Sequence, residues 1–374
     1  MSSIFKGNIN VSIFGESHGA GIGVVIDGLP AGEKINMQEV SHFMKRRAPK
    51  SDGTSTYRHE KDIPEVLSGM LDGVTTGAPL AAIIRNTDTK SGDYKNISHL
   101  ARPAHADYTA YVRYNGFNDI KGGGHFSGRL TAPLCFSGAI CTQILANRGI
   151  YIGAHIKSIH DVHDDCFNPV SISYDDIKAI HNRDFPVINK GIIDDMKSVI
   201  LNARNNLDSV GGIVECCAIG VPAGIGSPMF AGLENIIASA MFAIPAVKGI
   251  EFGAGFDSTR MTGSENNDEF YIEEDTVKTR TNHHGGILGG ISSGMPIMMN
   301  VAFKPTPSIA RPQRTIDYQK AENATIEIKG RHDPCIVPRA VPCVESIVGI
   351  SLLSSIDSSI DSSIDSSIDS SKTL

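Results

Sequence analysis

Short apolar runs bounded by glycines alternate along the chain with longer segments of helical periodicity. Runs of β-branched and apolar residues at positions 23–27 and 212–216 predict strands. Apolar positions share one helical face in residues 37–45, and residues 131–147 form an apolar segment opening with Thr-Ala-Pro, which predicts a buried helix. Residues 233–242 predict a third helix. This mixture favours an α+β fold, because strands and helices do not alternate strictly as in a doubly wound parallel sheet.

The apolar residues are sufficient for one large core. Of the 374 residues, 41% are hydrophobic, and no charge block or Pro/Ser-rich spacer divides the chain, so we expect a single catalytic domain over residues 1–352. No apolar run approaches the roughly eighteen residues of a membrane span, and the N-terminus resembles neither a signal peptide nor a transit peptide. We therefore expect a cytoplasmic protein with no membrane partner.

The C-terminal residues are of low complexity. Residues 354–369 are four copies of Ser-Ser-Ile-Asp. Isoleucine at every fourth position would follow a helical stripe, but Ser and Asp are poor interior helix formers. The composition favours a disordered tail over residues 353–374, to which we assign no chemistry.

Charge and cysteine usage limit the classes of function. The net charge of −7 argues against a general nucleic-acid surface. The seven cysteines are odd in number and include no C-x-x-C pair, which is typical of thiols in a reducing cytosol, and adjacent Cys216 and Cys217 are expected in the core. The His and Asp cluster at residues 160–165 looks like a metal site, but its polar surroundings favour a solvated loop, so we predict no metal site.

Five Gly-rich motifs contain most of the side chains suited to catalysis. Glycine lets the backbone approach a ligand closely, and three of the motifs place Arg near His, which suits an anion that is both held and protonated. Because arginines concentrate in these motifs, we expect a cationic cleft in an acidic protein. The motifs are FGESHG (14–19), RPAHAD (102–107), GGGHFSGRLTA (122–132), NHHGGILGGISSG (282–294) and GRHDPC (330–335).

In this order and wording, the motifs closely resemble those of the chorismate synthase family. The similarity spans about residues 5–350. It implies a single domain with helices sandwiched between antiparallel sheets, assembled as a homotetramer. Further matching segments are IDGLPAG (26–32), LSGMLDGVTTGAPLAAIIRNTD (67–88), DSVGGIVECCAIGVPAGIGSP (208–228), AVKGIEFGAGF (246–256) and KPTPSI (304–309).

The resemblance implies a carbon–oxygen lyase of the shikimate pathway, which leads to the aromatic amino acids. In this family a 1,4-elimination of phosphate from 5-enolpyruvylshikimate 3-phosphate gives chorismate, and reduced FMN is required without net redox change. NADPH bound by the chain and an external reductase are the alternative sources of reduced flavin. The substrate carries a phosphate and two carboxylates, so it demands bidentate arginine contacts. By motif position these arginines are Arg47, Arg102, Arg129 and Arg331.

The resemblance also implies four catalytic residues. His18 matches the family histidine at the substrate phosphate, where an imidazolium would protonate the leaving group. His105 matches the histidine near the flavin. Asp333 and Ser17 match a pair proposed to relay a proton at flavin N5.

The FMN site implied by the motifs comes from several segments. Lys304 and its small neighbours would accept the phosphate and ribityl chain of the cofactor, while glycine-rich backbone approaches the ring. The full set is His125, Phe126, Ser127, Ala246, Gly289, Lys304, Pro305, Thr306, Pro307, Ser308 and Arg331.

Some positions depart from the family pattern. Residues 46–50 read RRAPK where many members read RRRPG, and Gly53 lies near a common arginine position. These changes predict weaker anion binding unless Lys50 or Arg58 compensates. Ala104 replaces a common glycine, and we expect this change to be tolerated. His and Phe at residues 125–126 stand where other members have Arg-Ser, which alters the expected flavin contacts.

Two alternative functions are considered. An ordinary flavin oxidoreductase is disfavoured because hydride transfer needs neither His18 nor four arginines suited to phosphate. A non-catalytic relative serving as a binding protein is disfavoured because His18, His105 and Asp333 are all present.

Overall fold

The structure is a computed structural model that describes residues 3–50, 52–55, 62–87, 98–328 and 333–356. The described strands are β1 (Ile4–Phe5), β2 (Asn10–Gly15), β3 (Gly21–Asp27), β4 (Pro64–Ser68), β5 (Met70–Leu71), β6 (Val74–Thr75), β7 (Leu80–Arg85), β8 (Tyr151–Ile159), β9 (Val162–His163), β10 (Gly212–Ile219), β11 (Val247–Phe252), β12 (Phe270–Glu273), β13 (Thr276–Thr279), β14 (Ile287–Leu288), β15 (Ile291–Ser292), β16 (Ile297–Phe303), β17 (Gln313–Asp317) and β18 (Glu322–Ile326). The described helices are α1 (Met37–Arg47), α2 (Asp107–Arg113), α3 (Thr131–Ala146), α4 (Tyr174–His181), α5 (Ile193–Asn205), α6 (Leu233–Met241), α7 (Gly263–Asn266) and α8 (Val337–Ser355).

Two antiparallel sheets form the framework of the described chain. The first has the strand order β1-β2-β3-β7-β4, and the second has the order β11-β16-β10-β8-β9. Apolar residues at every second position of β3 are completely buried, namely Ile22, Val24 and Ile26, because side chains two residues apart share one face of a strand. The predicted strands at residues 23–27 and 212–216 lie within β3 and β10.

Helices α3 and α8 lie between the two sheets. Helix α3 packs on β2, β3 and β7 of the first sheet and on β8 of the second, while α8 packs on α3, β8 and β10. A Cβ built at Gly138 of α3 would lie 2.2 Å from the Cβ of Ser346 on α8, so the two helices approach at a distance that only glycine permits. The predicted fold, with helices sandwiched between antiparallel sheets, is confirmed.

Helix α1 ends where its last two arginines diverge. Its N-cap is Asn36, whose side chain accepts hydrogen bonds from the next backbone N–H groups. The helix stops before Pro49, since the residue preceding proline disfavours helical backbone angles. In the last turn, Arg46 points to buried Glu345 of α8 and Arg47 is itself buried. Because the two side chains point in different directions, Arg46 binds α8 while Arg47 lines a cavity.

Glu345 is a fully buried charge at the centre of α8. Its carboxylate accepts hydrogen bonds from both terminal nitrogens of Arg46, at 2.6 and 2.7 Å, and from the Ala154 N–H at 3.0 Å, and it lies 3.2 Å from His181 Nε2. Burial acts to raise the Glu345 pKa, but Arg46 and His181 outweigh burial and lower it to about 2. The ion pair ties α1 to α8 and to the second sheet.

Helix α8 corrects one expectation drawn from the sequence. It is long and apolar enough to cross a membrane, although the analysis of apolar runs found no such segment. Of its most apolar window, 94% is buried inside the protein, so its apolarity serves the core. The helix also extends to Ser355, and Leu353 and Ile356 are buried. The first residues of the predicted 353–374 tail therefore belong to the packed structure, and residues 357–374 lie outside the described part.

Cysteines and the His/Asp cluster agree only partly with prediction. All seven cysteines are free thiols, and Cys216 and Cys217 are completely buried. In the cluster at residues 160–165, His160 and Asp161 are exposed. Asp164 is buried instead, and its carboxylate accepts backbone N–H groups of the 188–189 segment and contacts His155. The solvated-loop expectation is therefore wrong for Asp164, which is a structural hydrogen-bond acceptor.

Candidate functional site

A cavity of about 560 Å³ lies where several loops meet beside the N-terminal ends of α3 and α8. Its volume falls in the range typical of small-molecule sites. The lining is strongly cationic although the whole protein is acidic, which concentrates positive potential at this place. The charged lining residues are Arg47, Arg102, Arg129, Lys304 and Arg339, together with the carboxylates of Asp62 and Asp333.

A glycine loop (Lys121–Phe126) forms one wall of the cavity and separates two histidines. Gly122, Gly123 and Gly124 all have positive φ, at 64°, 100° and 54°, a region that residues with a Cβ rarely adopt. A Cβ built at Gly122 would lie 2.1 Å from the His18 ring, and one at Gly123 would lie 3.2 Å from His105 Nε2. The backbone of Gly122 therefore lies against His18, and the backbone of Gly123 lies against His105.

His18 is held by its neighbour Ser17. The Ser17 Oγ lies 3.1 Å from His18 Nδ1, and the same hydroxyl donates to the Lys121 carbonyl at 3.2 Å. When the Ser17 hydroxyl donates its proton to the Lys121 carbonyl, its oxygen accepts a hydrogen bond from His18 Nδ1. The imidazole of His18 then carries a proton on Nδ1. Ser17 is completely buried, and neither residue lines the cavity; the His18 ring lies against Gly122, which does line it.

His105 is oriented by a carboxylate from its own motif. Its Nδ1 lies 2.7 Å from Asp107, which also accepts 2.7 Å hydrogen bonds from Nε and Nη2 of Arg102. Burial acts to raise the Asp107 pKa, but hydrogen bonds from Arg102 and His105 outweigh burial and hold it far below its usual range. Asp107 therefore stays ionised and directs Nε2 of His105 towards Gly123. Asp107 belongs to the RPAHAD motif, but its role was not predicted from the sequence.

Arg47 and Arg129 meet at a second carboxylate that the sequence analysis missed. Both guanidinium groups donate through Nη1 to Asp62, at 2.5 Å for Arg47. Arg47 also donates through Nε to Thr131 Oγ1 at 2.9 Å, and Arg129 donates through Nε to Asn86 Oδ1 at 3.2 Å. No motif pointed to Asp62, because its short local sequence has no feature that distinguishes it from a surface carboxylate.

Asp333 is paired with Arg339, another residue absent from the predicted set. Arg339 donates to Asp333 at 2.5 Å and to the backbone carbonyl of Arg47 at 2.9 Å. Arg339 thus links the start of α8 with the end of α1 at the cavity wall. The predicted residue Arg331 lies outside the described residues.

Most of the predicted cofactor residues line the same cavity. Lys304 donates to the Ala104 carbonyl at 3.0 Å, and burial together with nearby Lys248 lowers its pKa. The Thr306 hydroxyl oxygen is buried and makes no hydrogen bond to any residue that the structure describes. The predicted residues found in the lining are His125, Phe126, Ser127, Ala246, Lys304, Thr306, Pro307 and Ser308.

Two predicted cofactor residues lie elsewhere in this chain. Pro305 lines a separate recess, because the chain turns between Lys304 and Thr306. Gly289 lies in the turn between β14 and β15 with φ of 62°, and a Cβ there would face open space. It does not line the described cavity.

The structure describes Ala104 and His125, two of the positions that depart from the family pattern. Ala104 has φ of 57°, a left-handed conformation in which glycine would be unstrained. His125 is engaged through both ring nitrogens, with Nε2 2.7 Å from Ser3 Oγ and Nδ1 2.9 Å from the Gly15 carbonyl. Arg58 lies outside the described residues. Within the described residues, no group of three or more His, Cys, Asp or Glu side chains is placed to hold a metal ion.

The antiparallel sheets, the enclosed helices and the cationic cavity define an enzyme that acts on a small-molecule substrate. A sequence model of the family described as "Chorismate synthase" matches residues 9–356. The chain belongs to this family, whose members are lyases.

Similar proteins cover nearly the whole chain. The chorismate synthase of Korarchaeum cryptofilum is 44% identical over 355 residues, which is 94% of this chain and 97% of the relative. The chorismate synthase of Pyrococcus abyssi is 45% identical over 344 residues, 92% of this chain and 94% of the relative. A crystal structure of chorismate synthase superposes with a TM-score of 0.72 at 27% identity, covering 93% of this chain and 91% of that one.

Proposed function

We propose that this protein converts 5-enolpyruvylshikimate 3-phosphate to chorismate by 1,4-elimination of phosphate, with reduced FMN and without net redox change. One observation carries the proposal: His18 and His105 pack on adjacent glycines of a loop whose cavity is lined by three predicted substrate arginines. A substrate with a phosphate and two carboxylates requires such a cluster of cations.

In this proposal the arginines bind and orient the substrate while the histidines hold protons. His18 donates a proton to the departing phosphate, which lowers the energy of the charge that develops on the leaving oxygen. Asp107 keeps His105 in one orientation, and Asp333, held by Arg339, is the proton acceptor that acts with Ser17. The apolar lining from Phe126 and Ile244 limits the access of water.

The cavity suits a flavin with a phosphate. Lys304 supplies a cation and the buried Thr306 hydroxyl supplies a polar group with no protein partner among the described residues, and these two groups are proposed to hold the cofactor phosphate and ribityl chain. When bound, reduced flavin supplies the transient electron density that makes an unactivated allylic phosphate leave. Arg331, Pro305 and Gly289 remain proposed contacts from outside the described cavity.

We also propose a homotetramer in the cytoplasm. Large apolar side chains are exposed at residues 229–230, at Phe256 and on β12, and exposed apolar surface of this kind is typical of contacts between subunits. Seven free thiols fit a reducing compartment. Sedimentation equilibrium of the purified protein tests the tetramer, and a monomer at micromolar concentration would contradict it.

The activity is tested by anaerobic incubation with 5-enolpyruvylshikimate 3-phosphate and dithionite-reduced FMN. Chorismate and phosphate should appear in equal amounts without net oxidation of the flavin. Replacing dithionite by NADPH then shows whether the chain reduces its own flavin. Tight flavin binding with no product would contradict the proposal and favour the oxidoreductase or non-catalytic alternative.

His18→Ala is the first variant to measure. Turnover should fall by roughly 10²-fold or more, the scale of losing a general acid, while flavin binding stays nearly intact. His42→Ala is the control, because His42 is exposed on α1 and does not line the cavity. Unchanged turnover in His18→Ala would remove the role given to His18.

A further inference from the structure

Asp62 is a buried carboxylate that joins two of the cavity arginines. It accepts hydrogen bonds from Nη1 of Arg47 and Nη1 of Arg129 through its two separate oxygens. Asp62 and Arg129 are each 6% exposed and Arg47 is 4% exposed. The three side chains therefore form one desolvated group in the wall of the cavity.

The backbone at Asp62 indicates that this position is imposed by its surroundings. Its φ is 46°, in the left-handed region that residues with a Cβ adopt uncommonly. Such a conformation persists only where neighbouring contacts fix it, and it is most frequent at ligand sites. Among the described residues, the side chains that hydrogen-bond to Asp62 are the two guanidinium groups.

The electrostatics of the group follow from its geometry. Burial acts to raise the Asp62 pKa, but the nearby charges of Arg47 and Arg129 outweigh burial and lower it, so the carboxylate is ionised at neutral pH. Two guanidinium charges and one carboxylate leave one net positive charge. Each guanidinium has a second anchor at Nε, Thr131 for Arg47 and Asn86 for Arg129, so the planes of both are fixed.

We propose that Asp62 is a positioning residue that orients Arg47 and Arg129 and limits their combined charge, so that the substrate anion binds in one orientation and free phosphate is released. The role towards the substrate rests on the proposed function, whereas the orientation of the arginines does not. Without the negative charge of Asp62, the two guanidinium charges would lie close together uncompensated, and a small anion would bind to them more tightly.

The test compares Asp62→Asn with Asp52→Asn. Asp52 is a partly exposed carboxylate paired with Lys197, and it does not line the cavity. Calorimetric titration with inorganic phosphate should show about tenfold tighter binding to Asp62→Asn, because the site gains one positive charge. With 5-enolpyruvylshikimate 3-phosphate, kcat should fall about tenfold or more without a rise in KM, while Asp52→Asn matches the wild type in both measurements.

A merely structural role predicts a different result. Loss of packing alone would weaken phosphate binding together with stability, and that outcome would overturn the proposal. Unchanged phosphate affinity and unchanged kcat would also overturn it. If the wild type binds phosphate but makes no chorismate, the proposed function fails. The phosphate titration still tests whether Asp62 orients the two arginines.

A second variant decides the matter if Asp62→Asn does not fold. Asp62→Gly relieves the left-handed backbone and leaves a space of carboxylate size between the guanidinium groups. Formate should raise its thermal midpoint and restore folded protein, and should have no comparable effect on the wild type. Absence of any formate effect on Asp62→Gly would overturn the proposal.

Discussion

At the scale of single residues, the site depends on glycines, whose lack of a side chain lets other groups approach the backbone. Gly122 allows the His18 ring to lie against the backbone of the glycine loop, and Gly123 does the same for His105. The histidines are thus located by backbone that carries no chemistry itself. The motif that contains these glycines was recognised from the sequence, but the pairing of each glycine with one histidine comes only from the fold.

Gly122→Ala should lower turnover about as much as His18→Ala, on the order of 10²-fold. Its Cβ would overlap the His18 ring at 2.1 Å, and its φ of 64° is strained for alanine. Steady-state turnover and circular dichroism of the two variants check this result. Gly149→Ala is the matched control, since Gly149 has φ of 75° but a Cβ there meets no atom within 4 Å. Similar turnover in the two glycine variants would contradict the prediction.

The candidate residues that could be predicted from the sequence were those in distinctive motifs. Arg47, Arg102 and Arg129 were named, and the structure places all three in one cavity. The carboxylate partner that Arg47 and Arg129 share could not be named. Asp62 is distant from Arg129 in sequence, and only folding makes them neighbours.

At the scale of elements, α8 shows how a buried charge can organise apolar surroundings. Other helices could be predicted from an apolar face, as in α1, or from an apolar segment opened by Thr-Ala-Pro, as in α3. Helix α8 was not predicted, because it is buried on all sides and so has no amphipathic pattern, and because Pro342 within it is a residue that usually breaks helices. The ion pair of Glu345 with Arg46 lies in this apolar environment.

Glu345→Gln should destabilise the protein at pH 7 by roughly 3–5 kcal/mol, because Arg46 would be left buried without its counter-charge. The wild-type pKa of about 2 lies below the ordinary value of 4.5. The ionised group therefore contributes its full stability above about pH 4.5 and loses it as the pH falls towards 2. Urea unfolding at pH 7 and at pH 3 should show a smaller difference between wild type and variant at the lower pH.

Glu65→Gln is the control for the buried pair. Glu65 pairs with Arg85 at 3.4 Å, and both side chains are more than half exposed. Surface pairs of this kind contribute at most about 1 kcal/mol, so its unfolding curve should nearly match that of the wild type. A pH-independent difference for Glu345→Gln would contradict the assigned pKa direction.

At the scale of the whole molecule, the two ends of the described chain meet. The Ile9 N–H donates to Ser354 Oγ at 3.2 Å, and the first isoleucine of the repeat, Ile356, is 6% exposed. Composition alone placed the tail boundary at residue 353, because the repeat is uniform in sequence. The packing that includes its first residues depends on the opposite end of the chain and has no local signal.

Two truncations test where the folded part ends. A chain ending at residue 356 should keep the turnover and thermal midpoint of the full chain. A chain ending at residue 352 loses buried Leu353 and Ile356 and should be less stable by about 3 kcal/mol or more. Thermal unfolding of both proteins checks the difference, and equal midpoints would contradict the packing described for the end of α8.

The cavity draws Arg47 from α1 and Asp333 and Arg339 from the chain around the start of α8. These segments are separated by nearly three hundred residues. During synthesis the ribosome therefore releases the last wall of the site only when almost all of the chain has been made. A nascent chain has no complete pocket for its ligands, so substrate or cofactor can stabilise the finished protein but cannot assist the early stages of its folding.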